Sequence, residues 1–225
     1  MISESPDIVF GLFGAGGFGR EVIEIANQHF AKLSNDQFYV KIYFIESSPV
    51  NSKIYSYDVI SEEDFHKLSC AKKYFNIAVS NSVAREQIAN RFIDKGAESL
   101  SIRAANSILY NNLDISSGSI ICGFCTITSD VKIGKFFHAN IYSYVAHDSV
   151  IGDFVTFAPG VMCLGNVHID DHAYIGAGAI LKQGTKDEPL VIGRGAIVGM
   201  GAVVTKNVEP FTTVVGVPAR IFLKK

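Results

Sequence analysis

Three stretches of this sequence carry residue types whose spacing suits chemistry. In Ala146-His147-Asp148-Ser149-Val150-Ile151-Gly152 an imidazole is followed directly by a carboxylate. Imidazole titrates near neutrality, so His147 is suited to taking a proton from a reacting group. Six histidines are present, and on residue type alone a surface or interface histidine is the commoner outcome. Gly14-x-Gly16-x-x-Gly19 lies between an apolar run and a helical pattern, where backbone N–H groups and a helix N-terminus can hold phosphates. Alone that pattern is weak and suits NAD equally well. Cys122-Gly123-Phe124-Cys125 has metal or redox spacing, but no second pair accompanies it. Cys125 also falls where the repeat described below points inward, which favours coil packing. His168 and His172 lie four apart outside any predicted helix and share no obvious face, so no metal site is expected.

Residues 1 to about 103 alternate apolar runs with helix-like stretches. Ile8–Phe13, Tyr39–Ile45 and Tyr74–Val79 are the strand candidates. Arg20–Leu33 places Val22, Ile25, Ala26 and Phe30 at helical spacing. Glu62–Leu68 is a candidate short helix, and Ser82–Asp94 is a longer one with Val83, Ile88, Phe92 and Ile93 as its apolar positions. This βαβ order implies a small parallel sheet with helices on its faces, about half of a full dinucleotide fold.

From about residue 104 to 225 a period of six takes over. Leu109, Ile115, Ile121, Ile127, Ile133, Ala139, Val145, Ile151, Phe157, Cys163, Ile169, Ile175 and Leu181 head thirteen successive hexads. After an insertion at 184–190 the frame resumes at Ile192, Val198 and Val204. A period of six fits neither a helix nor a long alternating strand, but it fits a parallel β-helix in which three hexads close one triangular coil. Position i and position i+4 point inward and stack on their equivalents three hexads away, so stability comes from stacking. In this frame His147 follows inward Val145 by two and projects outside the prism. Gly165, three hexads later, lies one coil along on the same side. Its N–H could stabilise an oxyanion, with a turn glycine as the equal alternative.

Composition excludes other classes. Twenty basic against twenty-two acidic residues leave a formal charge of −2, unlike a dedicated nucleic-acid binder. With 48% hydrophobic and 19% charged residues a substantial core is expected. No stretch approaches the roughly 18 apolar residues that span a bilayer, and no secretory signal is evident. Four cysteines do not suggest a disulfide scaffold, so a soluble, cytoplasmic protein is expected.

The hexads, together with Val203-Val204-Thr205-Lys206-Asn207-Val208 through Gly216-Val217-Pro218-Ala219-Arg220, resemble the left-handed β-helix acyltransferases. With Gly14-Ala15-Gly16-Gly17-Phe18-Gly19-Arg20-Glu21 added, residues 8–222 resemble bacterial sugar acetyltransferases that join a Rossmann-like nucleotide-sugar domain to such a helix. That resemblance implies transfer from acetyl-CoA to the amine of a nucleotide-linked 4-amino-4,6-dideoxysugar, or alternatively to a hydroxyl of a sialic acid. It also implies a homotrimer with active sites between neighbouring β-helices, working in cell-surface polysaccharide or O-antigen biosynthesis.

Carried over residue by residue, His147 becomes the proton acceptor and Asp148 the acid that raises its basicity. Asn140 becomes a sugar contact. Gly16, Gly17, Phe18, Glu46, Ser47, Ser80 and Asn81 become the nucleotide-sugar site. Thr156, Gly165, Ala177 and Met200 become acetyl-CoA contacts. The chain departs from the family where Phe18 and Thr156 replace histidines, Glu46-Ser47 an Asp-Asp pair and Ser80 a glycine. A non-catalytic trimeric scaffold and an NAD-binding protein are the competing readings; the presence of His147-Asp148 and Asn140 counts against the first. The 184–190 insertion is expected to leave a corner as a solvated loop or to flank a neighbouring subunit's site.

Overall fold

A computed structural model describes residues 6–34 and 39–223 of the chain. The chain divides into two compact units between Ala105 and Asn106. In the first, β1 (Ile8–Phe13), α1 (Gly17–Ser34), β2 (Val40–Glu46), β3 (Lys53–Ile54), β4 (Tyr57–Ser61), α2 (Glu62–Lys67), β5 (Lys72–Ile77), α3 (Ser82–Asp94) and β6 (Glu98–Ser99) follow in order. They form one sheet of order β3-β4-β2-β1-β5-β6, parallel except for the β3–β4 hairpin. Only three of these six strands are legible as apolar runs. The hairpin carries polar and half-buried residues, which weakens its pattern.

β1 is central and pairs with both β2 and β5, so Phe13 sits beside Ile45 and Ile77. Its Val9, Phe10, Leu12 and Phe13 are all buried, as expected of a strand covered on both faces. Helix α1 turns Val22, Ile23, Ala26 and Phe30 inward, with Ile23 rather than Ile25 fully buried. Helix α3 departs further from expectation. Val83 and Ile93 are exposed, and Arg85 joins Ile88, Ala89 and Phe92 on the buried face. Phe92 packs against Phe13, Phe65 and Phe75, tying helix to sheet.

The second unit is a parallel β-helix. Strands at 120–121, 138–139, 156–157, 174–175, 197–198 and 213–215 stack into a first sheet. Those at 108–109, 126–127, 144–145, 162–163, 180–181 and 203–204 form a second, and 114–115, 132–133, 150–151, 167–169 and 190–192 a third. Partners lie three hexads apart, as Val145 on Ile127 and on Cys163. The inward positions are as the repeat requires. Ile121, Ile127, Ile133, Ala139, Val145, Ile151 and Phe157 are buried, and so are Cys125, Val131, Phe137, Val155 and Val161 at position i+4. Burying each large aliphatic side chain contributes about 1.5–3 kcal/mol, and only the stack provides the cover.

After Leu109 the corners turn in one way, those at the 184–190 insertion and at Val204–Val208 excepted. The residue at position i+3 adopts a left-handed conformation, as at Asn112, Phe124, Asp130, Phe136, Tyr142, Asp148, Phe154, Asn166 and His172, or is a glycine such as Gly118, Gly160, Gly178 and Gly195. Its N–H donates to the carbonyl at position i+2 of the preceding coil, as Asn166 does to His147 at 3.0 Å. The N–H at position i+2 is left facing outward. Three edges therefore run along the prism with one backbone and three chemistries. The first-to-second edge carries Phe124 stacked on Tyr142, followed by Gly160, Gly178 and Gly201. The second-to-third edge carries Asn112, Asp130, Asp148 and Asn166. The third-to-first edge carries the rings of Phe136, Phe154 and His172 in one column.

Candidate active site

On the polar edge, His147 occupies position i+2 and Asp148 position i+3 of one corner. The imidazole Nδ1 lies 2.6 Å from Asp148 Oδ2, and the two side chains are 51% and 54% exposed. A carboxylate can only accept, so this geometry assigns the proton to Nδ1 and leaves the Nε2 lone pair free. Gly165 lies beneath the ring. A Cβ on it would stand 2.7 Å from His147 Cε1 and 2.8 Å from Nε2, so glycine is what lets the imidazole lie there. The Gly165 carbonyl accepts from Gly184 N–H at 3.0 Å, while its own N–H makes no hydrogen bond among the described residues. An open lone pair and an open donor thus lie side by side.

The 184–190 insertion leaves this same edge one coil beyond Gly165. Its neck is pinned where Gly184 N–H donates to Gly165 and Leu190 N–H donates to Asn166. A turn from Thr185 to Glu188 closes its tip, with Glu188 N–H on the Thr185 hydroxyl.

Asn140, Ala177 and Met200 lie elsewhere, on the first-to-second edge. Asn140 Oδ1 accepts from Ile141 N–H at 2.8 Å, so this side chain does corner work within the chain. Ala177 and Met200 occupy equivalent places on successive corners, beside Gly178 and Gly201, and Gly176 lets the Met200 backbone pack closely. The face of the second sheet separates this edge from His147. Thr156 is on the first sheet, between His138 and Tyr174, and is 8% exposed. A single chain therefore brings together His147, Asp148 and Gly165, but not Asn140, Thr156, Ala177 or Met200 with them.

The remaining candidates gather at one edge of the first unit. Gly14 (φ +100°) ends β1, and the turn leads straight into α1. Gly19 packs α1 onto that turn: a Cβ there would fall 1.8 Å from Gly14 O. Gly16 and Gly17 have open space where a side chain would project, and they present the first N–H groups of α1. Phe18 is half-buried. Glu46 ends β2 and Ser47 follows it, and Ser80 and Asn81 follow β5, so all three loops flank β1 at the carboxyl ends of the strands, where the sheet order changes direction. The Asn81 side chain caps α3 by accepting from Ala84 N–H at 2.9 Å.

Other candidates for chemistry are accounted for by packing. Cys122 and Cys125 are buried and unpaired by any disulfide, and Cys125 Sγ reaches Asn140 O at 3.0 Å. Burial pushes the Cys125 thiol up to about 11 and the Cys163 thiol up to about 12, the reverse of what a nucleophile needs. His168 faces out of the third sheet, whereas His172 sits in the aromatic column. Among the described residues no group of His, Cys, Asp and Glu could hold a metal ion, and no helix is long and apolar enough to cross a membrane.

The two units define a sugar acetyltransferase built from a Rossmann-like sheet domain and a left-handed β-helix. The family profile described as the PglD N-terminal domain matches residues 10–92. A GDP-perosamine N-acetyltransferase of Escherichia coli O157:H7 is 47% identical over 94% of this chain and 95% of its own length, and the chain belongs to that family. WeeI from Acinetobacter baumannii AYE superposes with a TM-score of 0.90 at 50% identity, covering 96% of this chain and 100% of that one. The acetyltransferase domain of PglB from Neisseria gonorrhoeae FA1090, solved with acetyl coenzyme A, gives 0.83 at 25% identity over 95% and 98%. The chain is an acetyltransferase that draws on acetyl-CoA.

The regular left-handed corner is a feature that the hexad pattern alone does not announce. Its signal is present, since Gly118, Asp130, Asp148, Gly160, Asn166 and Gly178 recur at position i+3. Phe124, Phe136, Tyr142 and Phe154 at the same register obscure it, because aromatic residues rarely adopt positive φ.

Proposed function

We propose that this protein acetylates the amino group of a nucleotide-linked 4-amino-4,6-dideoxysugar, a GDP-linked sugar being the first candidate on the strength of the 47% identical relative. The observation that carries the mechanism is His147, held by Asp148 at Nδ1 and seated over Gly165. The sugar amine attacks the thioester carbonyl carbon of acetyl-CoA, forming a C–N bond and placing negative charge on oxygen. Gly165 N–H donates to that oxygen. His147 Nε2 takes the proton from the now cationic nitrogen. Collapse breaks the C–S bond, and the leaving thiolate of CoA takes the proton back from the imidazolium. No acyl-enzyme is needed, because holding both substrates supplies the proximity.

Gly16, Gly17, Phe18, Glu46, Ser47, Ser80 and Asn81 hold the nucleotide-linked sugar, with the start of α1 as the phosphate end. Asn140, Ala177 and Met200 complete the sugar and acetyl-CoA contacts from a neighbouring copy, which is why one chain leaves them apart from His147. A homotrimer accounts for this, and the half-exposed Tyr144, Met162 and Ile180 on the intervening sheet face give it apolar surface to bury. Thr156, on the first sheet and 8% exposed in a single chain, is the further acetyl-CoA contact of this reading. The setting is cytoplasmic synthesis of a cell-surface polysaccharide such as O-antigen.

The test follows thiol release from acetyl-CoA with GDP-, UDP- and dTDP-linked 4-amino-4,6-dideoxysugars beside free sialic acids. Turnover with one aminosugar is expected, and turnover with hydroxyl acceptors alone would move the enzyme to the O-acetyltransferase type. His147→Ala should lower kcat by about 10²–10⁴ while CoA binding persists. Wild-type turnover in that variant would sink the role given to His147.

A further inference from the structure

The inner face of α3 holds one charged side chain. Arg85 is 0% exposed, and burial pulls its guanidinium down to about 9. A cation is costly to bury, so its partners matter. Nη1 donates to Val79 O at 2.7 Å and to Ser80 O at 3.3 Å, both in the loop between β5 and α3.

Those two bonds fix more than two carbonyls. In a trans peptide the C=O and the following N–H point in opposite directions. Turning the Val79 and Ser80 carbonyls inward onto Arg85 therefore turns the Ser80 and Asn81 N–H groups outward. Ser80 and Asn81 are exposed, and neither N–H makes a hydrogen bond among the described residues. The loop is anchored on both sides of this pair. Ala78 N–H donates to Phe13 O at 2.8 Å, and the Asn81 side chain caps α3. The anchored loop adjoins the glycine turn, since a Cβ on Gly14 would stand 3.1 Å from Ala78 O and one on Gly19 would stand 3.7 Å from Ala78 Cβ.

We propose that Arg85 is a positioning residue that presents the Ser80 and Asn81 N–H groups, from beneath, as an oriented pair of donors for the diphosphate of the nucleotide-linked substrate. This rests on the nucleotide-sugar reading above. The pair adds to the open N–H groups at the start of α1, and the cation behind the loop adds favourable potential for an anion. Arg85 touches no substrate; it acts through the two peptides.

The experiment compares wild-type, Arg85→Met and Arg85→Lys in the full chain. It measures kcat, KM for acetyl-CoA, KM for the aminosugar nucleotide that wild type uses, and GDP affinity by calorimetry. Arg85→Met should raise KM for the sugar nucleotide and weaken GDP binding by roughly tenfold or more, since two donors to a charged group lose their orientation. Its kcat and its KM for acetyl-CoA should stay within about twofold of wild type. Arg85→Lys keeps a cationic donor and should recover part of the loss. Should the Met variant not fold, a rise in the sugar-nucleotide KM alone in the Lys variant supports the proposal. Parallel changes in kcat and both KM values would mark a general structural role and overturn it. So would unchanged GDP affinity and sugar-nucleotide KM in folded Arg85→Met, with the function intact. A wild-type protein that neither binds GDP nor uses any nucleotide aminosugar defeats the functional reading itself, and the role of Arg85 with it.

Discussion

Two edges of the same β-helix put one backbone device to opposite uses. On the third-to-first edge the left-handed corner positions hold Phe136, Phe154 and His172, whose rings lie nearly parallel at 5.4 and 5.5 Å. Phe136 and Phe154 are buried, and Gly118 lies under the Phe136 ring with no room for a Cβ. On the second-to-third edge the same register holds Asn112, Asp130, Asp148 and Asn166, and His147 beside Asp148 stays half-exposed. The stack of inward residues fixes the coil, so the corner side chain is released from specifying the fold. One edge uses that freedom for packing, and the other leaves room for the chemistry proposed for His147.

If so, a change on the aromatic edge should cost stability without touching catalysis. Phe154→Ala removes the middle ring of the column and should destabilise the protein by about 3–5 kcal/mol. Chemical denaturation gives that number, and kcat per folded molecule should match wild type. A loss below about 1 kcal/mol would show that the column is ornamental to stability.

Gly165→Ala sharpens the comparison from the other side. Gly165 does not require positive φ, and its Cβ would meet the His147 ring at 2.7–3.2 Å. The imidazole must shift while the coil stays, so kcat should fall by roughly 10–100-fold with the melting temperature nearly unchanged. Unchanged kcat would mean that the seat on Gly165 does not set the position of the base.

How much of this is legible in the sequence follows from the same division. Residues that stack inward must repeat, so Ile121, Ile127, Ile133 and their successors announce the coil and its pairing at every third hexad. Residues at corners need not repeat, and His147 gains meaning only through its register after Val145 and the family resemblance. The first unit offers no period. Its long strand β1 reads easily because both faces are apolar, whereas the β3–β4 hairpin is half-polar and gives no comparable signal. Arg85 escapes a sequence reading for a physical reason: a charged residue is rarely buried, so Val83 and Ile93 look like the better inward positions. Separation of Asn140 from His147 is equally hidden, because two neighbours in the chain fall on different corners once three sheets close a coil.

Asp148 is where the two uses of a corner coincide, and it gives the finest test. It is the left-handed residue of its turn (φ 59°) and also the partner of His147 Nδ1. Asp148→Asn separates these duties. Asparagine tolerates positive φ, and Asn112 and Asn166 already fill the equivalent corners on this edge, so the coil should keep its stability. The amide oxygen can still accept from Nδ1–H, but the carboxylate's negative charge beside the ring is gone. Because both groups are about half exposed, water screens that charge, and the expected loss is about tenfold in kcat, less than for the Gly165 change. Full activity in Asp148→Asn would reduce Asp148 to a corner residue. A fall in stability alongside kcat would show instead that fold and chemistry are not separable at this corner, and the contrast between the two edges would fail where it matters most.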